Sequence, residues 1–188
     1  IGAAFNTDMG VTTNLFPTLD GTSEPQPPEI TAAQLAHLTR YIFTLGVNAR
    51  RDIDHPVTVR GENLFTSAGC AKCHHTGFTT SPFHPLAELR SQTIRPYTDL
   101  LLHDMGAGLA DNLGERQATG AEWRTAPLWG IGLTNGVSGG EAYLHDGRAQ
   151  TLEEAILWHG GEGERSMQVF RKMPLADRKA LLMFIKSL

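Results

Sequence analysis

The chain has two cysteines in 188 residues, no excess of positive charge and no long apolar run. Each scarcity excludes something. A bilayer span needs roughly 20 consecutive apolar residues, and the longest runs here are far shorter. The net charge is -4, and the Lys and Arg residues are scattered rather than gathered into a stripe, so nothing suits a phosphate backbone. The opening IGAAFNTDMG lacks the charged and apolar regions of a signal peptide. The chain begins at Ile1 rather than Met, as a processed or truncated chain would, so that lack carries no information about compartment. With 40% hydrophobic residues the chain can bury one core, and one globular domain is the default reading.

The two cysteines stand two residues apart in GCAKCHH, Gly69 to His75. A disulfide between such close neighbours would constrain almost none of the chain. Three readings remain: a redox dithiol, half of a zinc site, or a covalent haem attachment site, since a histidine follows directly. A redox dithiol favours a βαβ setting, whereas the flanks here read as helical and glycine-bounded. A zinc site needs two more ligands at regular spacing, and His75 and His84 could complete only an irregular one. Haem is therefore the preferred reading: Cys70 and Cys73 as thioether anchors, His74 as proximal iron ligand, and His75 as a surface residue.

Upstream, Gly61, Phe65 and Gly69 recur every four residues and share one side of a short helix leading into the cysteines. Small residues there permit close backbone approach, and Phe65 can cover the cofactor.

The sixth iron position decides between electron transfer and catalysis. A strong ligand makes an electron-transfer centre; an open position admits peroxide or dioxygen. In TLEEAILWHGG, Thr151 and Glu154 have the spacing of a capping box, so a helix should start there. Leu152, Ala155, Ile156 and His159 then share one face, and Gly160-Gly161 ends the helix. His159 is the preferred sixth ligand. Met105, in the expected loop of DLLLHDMG, is the alternative; Met9 suits a surface, and Met173 and Met183 suit core or helix-end positions.

The segments FNTDMGVTTNLFP, GCAKCHHTG, YTDLLLHDMG, EWRTAPLWGIG, YLHDGRAQTLEEAILWHGGE and LLMFIKSL resemble the C-terminal half of the bacterial di-haem oxidoreductase family. That family is related to the di-haem cytochrome c peroxidases and to MauG, and some members are labelled thiol oxidoreductases. In the peroxidases the element after an HDG and a TLE-type helix supplies a methionine ligand to the electron-transfer haem, and in MauG a tyrosine serves; by position that ligand falls on His159. The resemblance also puts Arg124 near a haem propionate and His145 near the contact between two haem domains. Arg148 is a further propionate candidate, and Trp129 and Trp158 are core aromatics or electron relays.

Pattern reading gives a mainly α fold, a class I cytochrome c-like domain with long loops. Residues 1–28 read as an extended covering segment and 29–188 as the haem domain. The expected elements are a helix from near Thr31 to Leu45 with Leu35, Leu38, Ile42 and Leu45 as its apolar stripe, the helix after Pro56, and a final helix from about Leu175 to Leu188. Leu181, Leu182, Ile185 and Leu188 face inward on that final helix, which is expected to cross the first. The stretch from Thr76 to Gly140 is loop-rich cover, with at most a short hairpin.

The function expected is electron transfer from a six-coordinate haem c to a second haem, where peroxide is cleaved. That second haem has no attachment motif in these residues, so its domain, or a donor or acceptor protein, is the expected partner. The alternatives are a free-standing monohaem peroxidase or sensor with a displaceable sixth ligand, and a haem-free thiol protein. Haem c attachment outside the cytoplasmic membrane implies a periplasmic location.

Overall fold

The computed structural model describes residues 1–19 and 22–188, which divide into two compact units, Ile1–Val47 and Asn48–Leu188. In the first unit, α1 (Gly2–Met9) ends at Gly10, whose φ of 65° lets its N–H turn back to the Asn6 carbonyl. Asn6 is buried and its amide donates to the Thr18 carbonyl at 2.9 Å. The chain then runs irregularly, with Thr13 bridging Ile30 and the buried Thr12 hydroxyl donating to the Pro27 carbonyl at 2.8 Å. Helix α2 (Ala32–Phe43) starts with a complete capping box made by Thr31 and Gln34.

One expectation changes in this unit. Residues 2–9 are helical rather than extended, because the polar Asn6 finds a tertiary acceptor that composition does not reveal. The first compact unit runs to Val47, and within it the bridge at Thr13 and Ile30 ties the opening segment to the start of α2. The stripe of α2 exists, but Leu38, Ile42 and Leu45 are exposed.

The second unit contains, in order, α3 (Pro56–Ser67), β1 (Phe78–Thr79), β2 (Thr93–Ile94), β3 (Leu102–Asp104), β4 (Glu122–Arg124), α4 (Thr134–Ser138), α5 (Leu152–Leu157), α6 (Glu164–Lys172) and α7 (Leu175–Ser187). Strands β1 and β2 pair antiparallel, as do β3 and β4, the latter with His103 opposite Trp123. The fold is mainly α, and among the described residues no helix is long and apolar enough to cross a membrane.

Its centre is the packing of α3 on α7. The final helix crosses the helix that leads into the cysteines, and the glycine that permits the approach is Gly61 on α3. A Cβ at Gly61 would overlap the Ala180 carbonyl oxygen and lie 2.7 Å from Phe184 Cβ. That closeness buries Phe65, Leu181, Phe184 and Ile185 with Tyr97, Phe170 and Leu152 in one core. Each large apolar side chain so buried stabilises the fold by about 1.5–3 kcal/mol. The expected inward residues of α7 are buried at Leu181, Ile185 and Leu188, with Leu182 half-buried. Arg50 grips the same region: it makes a two-pronged ion pair with Glu62 (3.1 and 2.8 Å), and its guanidinium lies 4.9 Å from the centre of the Phe184 ring.

Candidate functional site

Helix α3 delivers the cysteines. Past Ser67, Gly69 takes a φ of 90°, which reverses the chain into a tight turn over Cys70–Lys72, and the His74 N–H closes it on the Cys70 carbonyl at 3.0 Å. Gly69 therefore ends the helix rather than continuing its face. Both thiols are free and half-buried. Burial pushes the Cys70 thiol up to about 11. Burial also raises Cys73, helped by the negative charges of Asp99 and Glu162. A reactive dithiol needs the opposite surroundings, in which positive charge holds the thiolate.

His74 donates from Nδ1 to the Tyr97 carbonyl at 2.9 Å. A carbonyl only accepts, so Nδ1 carries the proton and Nε2 keeps its lone pair. Tyr97 presents that carbonyl from a left-handed backbone, φ 55°, which its buried ring fixes by packing edge-on to Phe65 and Phe184 at centroid distances of 6.1 and 5.8 Å. Burial lowers His74 to about 4, against the opposing pull of the Tyr97 carbonyl. His159, just past the C-cap of α5, repeats the arrangement by donating from Nδ1 to the Ala155 carbonyl at 2.8 Å, and burial lowers its pKa too. Burial thus favours the neutral form of both imidazoles, which is the metal-binding form.

The two rings come together from 85 positions apart in the chain, with centroids 6.5 Å apart and planes inclined by 49°. An imidazole nitrogen binds a first-row metal at about 2 Å, so two rings facing one ion across it have centroids roughly 6 Å apart. The separation, the paired tautomers and the free cysteines on the turn before His74 fit a covalently tethered haem. Half of the expected capping box forms below His159: Thr151 accepts from the Glu154 N–H at 3.0 Å, while the Glu154 carboxylate turns to the Gln150 N–H at 2.8 Å.

Met105 follows β3 directly and lies beside His159. A Cβ placed on Gly163 would stand 3.3 Å from Met105 Cε and 3.3 Å from His159 Cδ2. Phe65 belongs to the core, with its ring centroid 6.2 Å from that of His74, so it buttresses the histidine. His75 is exposed and donates to the Gly77 carbonyl at 3.1 Å. Arg124 is exposed at the end of β4, opposite Leu102. In the HDG turn Gly147 has φ 73° and Asp146 accepts from the Arg148 N–H at 3.2 Å; the His145 ring stacks on Trp123 with centroids 3.5 Å apart. Arg148 is occupied by Asp146, by the Gly108 carbonyl and by the Trp158 ring, 5.0 Å away. Of the two readings for Trp129 and Trp158, the core one does not hold, since both are exposed.

Sequence reasoning missed the group beside Cys73. His103 is held between Asp99 (Nε2 to Oδ2, 2.9 Å) and Glu162 (Nδ1 to Oε2, 2.9 Å), and its Nδ1 lies 3.9 Å from Cys73 Sγ. Hydrogen bonding to Glu162 and Asp99 raises the His103 pKa. His103 and Asp99, not His75 and His84, are the residues grouped with Cys73 in metal-binding range. The spacing of Asp99 and His103 was visible, but their tie to Glu162, 59 residues on, arises only from the fold. The Tyr97 carbonyl had no sequence signal at all.

The mainly α fold, with two imidazoles whose centroids lie 6.5 Å apart and a free cysteine pair on the turn before one of them, has the donor set of a metal-cofactor protein. The chain belongs to the di-haem oxidoreductase family: residues 3–188 match the family model described as "Di-haem oxidoreductase, putative peroxidase". Membership brings haem and a redox role. The fold is also similar to a chain of a solved structure of hydrazine synthase from Kuenenia stuttgartiensis pressurised with xenon, at 22% identity and a TM-score of 0.52, over 84% of this chain and 55% of that one. The chain thus spans about half the length of that relative. No curated protein matches it.

Proposed function

We propose that the chain is a cytochrome c-like electron-transfer domain that would hold one haem c, with Cys70 and Cys73 as thioether anchors and the His74 and His159 imidazoles as iron ligands. The observation that carries this reading is the pair of imidazoles, each with its Nδ1 proton fixed on a backbone carbonyl and its ring centroid 6.5 Å from the other. The bound haem supplies a one-electron ferric–ferrous couple.

The residues of the chain do the rest. Tyr97 and Ala155 lock the ring orientations through their carbonyls, so neither histidine has to turn when the charge of the site changes. Phe65, Tyr97 and Phe184 keep water from the His74 side. The raised thiol pKa values speak against a haem-free dithiol enzyme.

Held by His74 and His159, the iron would have two nitrogen ligands, which would favour electron transfer over peroxide binding and a lower potential than a histidine–methionine pair gives. The single CxxCH motif and the di-haem family together support a second haem on another domain or chain, where peroxide is cleaved. Haem c attachment supports a periplasmic location. The test is spectroscopic: the haem-loaded chain should be low-spin ferric and unchanged by peroxide or cyanide. A high-spin spectrum with rapid peroxide reaction overturns the reading.

A further inference from the structure

We propose that the sixth position is served by two residues in one wall, His159 in the resting protein and Met105 as a reserve thioether ligand that takes the position when His159 is lost from it. The inference rests on the haem reading above and adds a ligand to it.

The argument is geometric. Met105 Cε and His159 Cδ2 each lie 3.3 Å from the point where Gly163 would carry a Cβ. The same point lies 3.1 Å from His159 Cβ, so the methionine tip comes within reach of the Cβ–Cδ2 edge of the ring, and Cδ2 is bonded to Nε2, the nitrogen left with the lone pair. Two such atoms can be no more than about twice that distance apart, within the sweep of a three-bond thioether side chain. The backbone beneath them is fixed. The Met105 N–H donates to the Ala121 carbonyl at 2.9 Å, and the turn from Asp104 to Gly106 presses on Gly160 and Gly161. A Cβ on Gly160 would stand 2.9 Å from the Met105 carbonyl oxygen, and one on Gly161, where φ is 51°, would overlap the Asp104 carbonyl. Only glycines at these positions allow the two segments to close and bring both side chains to one place.

The exchange involves one coordinate bond: the bond to His159 Nε2 is lost and one to Met105 Sδ forms, with no electron or proton required. Its consequence is protective. A domain that lost its histidine would otherwise open its iron to peroxide; with Met105 in reserve it stays closed and moves to a higher potential, since thioether sulphur favours the ferrous state.

The test uses the haem-loaded protein. His159→Ala should remain low-spin, gain a sulphur-to-iron charge-transfer band, shift its midpoint potential upward and refuse cyanide. His159→Ala combined with Met105→Leu should be high-spin and bind cyanide at once. A high-spin, cyanide-binding single variant overturns the proposal, as does a double variant that stays low-spin. His159→Gln gives the same readings should the alanine variant fail to fold. Met105→Leu alone separates this proposal from the reading beneath it. An unchanged low-spin spectrum is expected, whereas loss of a charge-transfer band already present in the wild type makes Met105 the resting ligand and removes both.

Discussion

Replacing Gly61 with Ala inserts one methyl group into the crossing of α3 and α7, where it would overlap the Ala180 carbonyl oxygen and stand 2.7 Å from Phe184 Cβ. An ordinary carbon contact is about 3.5–4 Å, so relief requires the helices to part by roughly 1 Å. Phe65, Leu181 and Phe184 are 2%, 1% and 0% exposed and meet across this contact. Each contributes about 2 kcal/mol by burial, and a gap of that width forfeits roughly a third of the contact energy, or about 2 kcal/mol in all. Residual strain adds about 1–3 kcal/mol, while the better helix propensity of alanine returns up to about 1 kcal/mol. The expected net loss is about 2–4 kcal/mol, or a Tm lower by about 5–10 °C. Urea and thermal unfolding of the haem-loaded protein, followed by helical circular dichroism, measure it. Because α3 carries the cysteines, the low-spin spectrum should also broaden before the helical signal falls. A Gly61→Ala protein within about 0.5 kcal/mol of the wild type would refute the close crossing.

Three further outcomes are expected. Removing either thiol, Cys70→Ala or Cys73→Ala, should leave haem held by one thioether, and the double variant should release it to acidified organic solvent; haem retained by the double variant would contradict covalent attachment. The Asp99–His103–Glu162 group should stabilise the fold most between two limits. The raised His103 pKa means its contribution is fully present below the ordinary histidine value and lost as pH rises through the folded value, while the lowered pKa values of Glu162 and Asp99 mean theirs is lost as pH falls through their folded values. His103→Gln should flatten the alkaline side of a Tm-against-pH curve, and an unchanged curve would refute the coupling. Arg50→Met keeps much of the apolar contact on Phe184 but breaks the pair with Glu62, which is half-exposed, so a loss of about 1 kcal/mol in denaturant unfolding is expected; a loss above about 3 kcal/mol would show that the pair does more than its exposure allows.

Local chemistry was legible in the sequence wherever neighbours along the chain decide the outcome. Cys70, Cys73 and His74 share one turn, Thr151 caps α5, and Pro56 opens α3, all within a few residues. Hydrophobic spacing gave α7 its buried face at Leu181, Ile185 and Leu188. Periodicity also found the stripe of α2, but it could not say whether that stripe is covered, and Leu38, Ile42 and Leu45 are exposed. Trp129 and Trp158, read as core aromatics or electron relays, are exposed for the same reason: an apolar side chain announces what it would gain by burial, not whether a partner arrives.

The residues thus determined by sequence alone are those whose partners lie within a turn or two, because helix caps, glycine turns and the Cys-Cys-His spacing are local geometry. The tertiary structure decided that α7 packs on α3, through the missing side chain of Gly61. It also decided that the Tyr97 carbonyl sets the tautomer of His74, and that Met105 and His159 share a wall opened by Gly163. In each case a backbone group or an absent side chain does the work, and neither leaves a periodic trace in the order of amino acids.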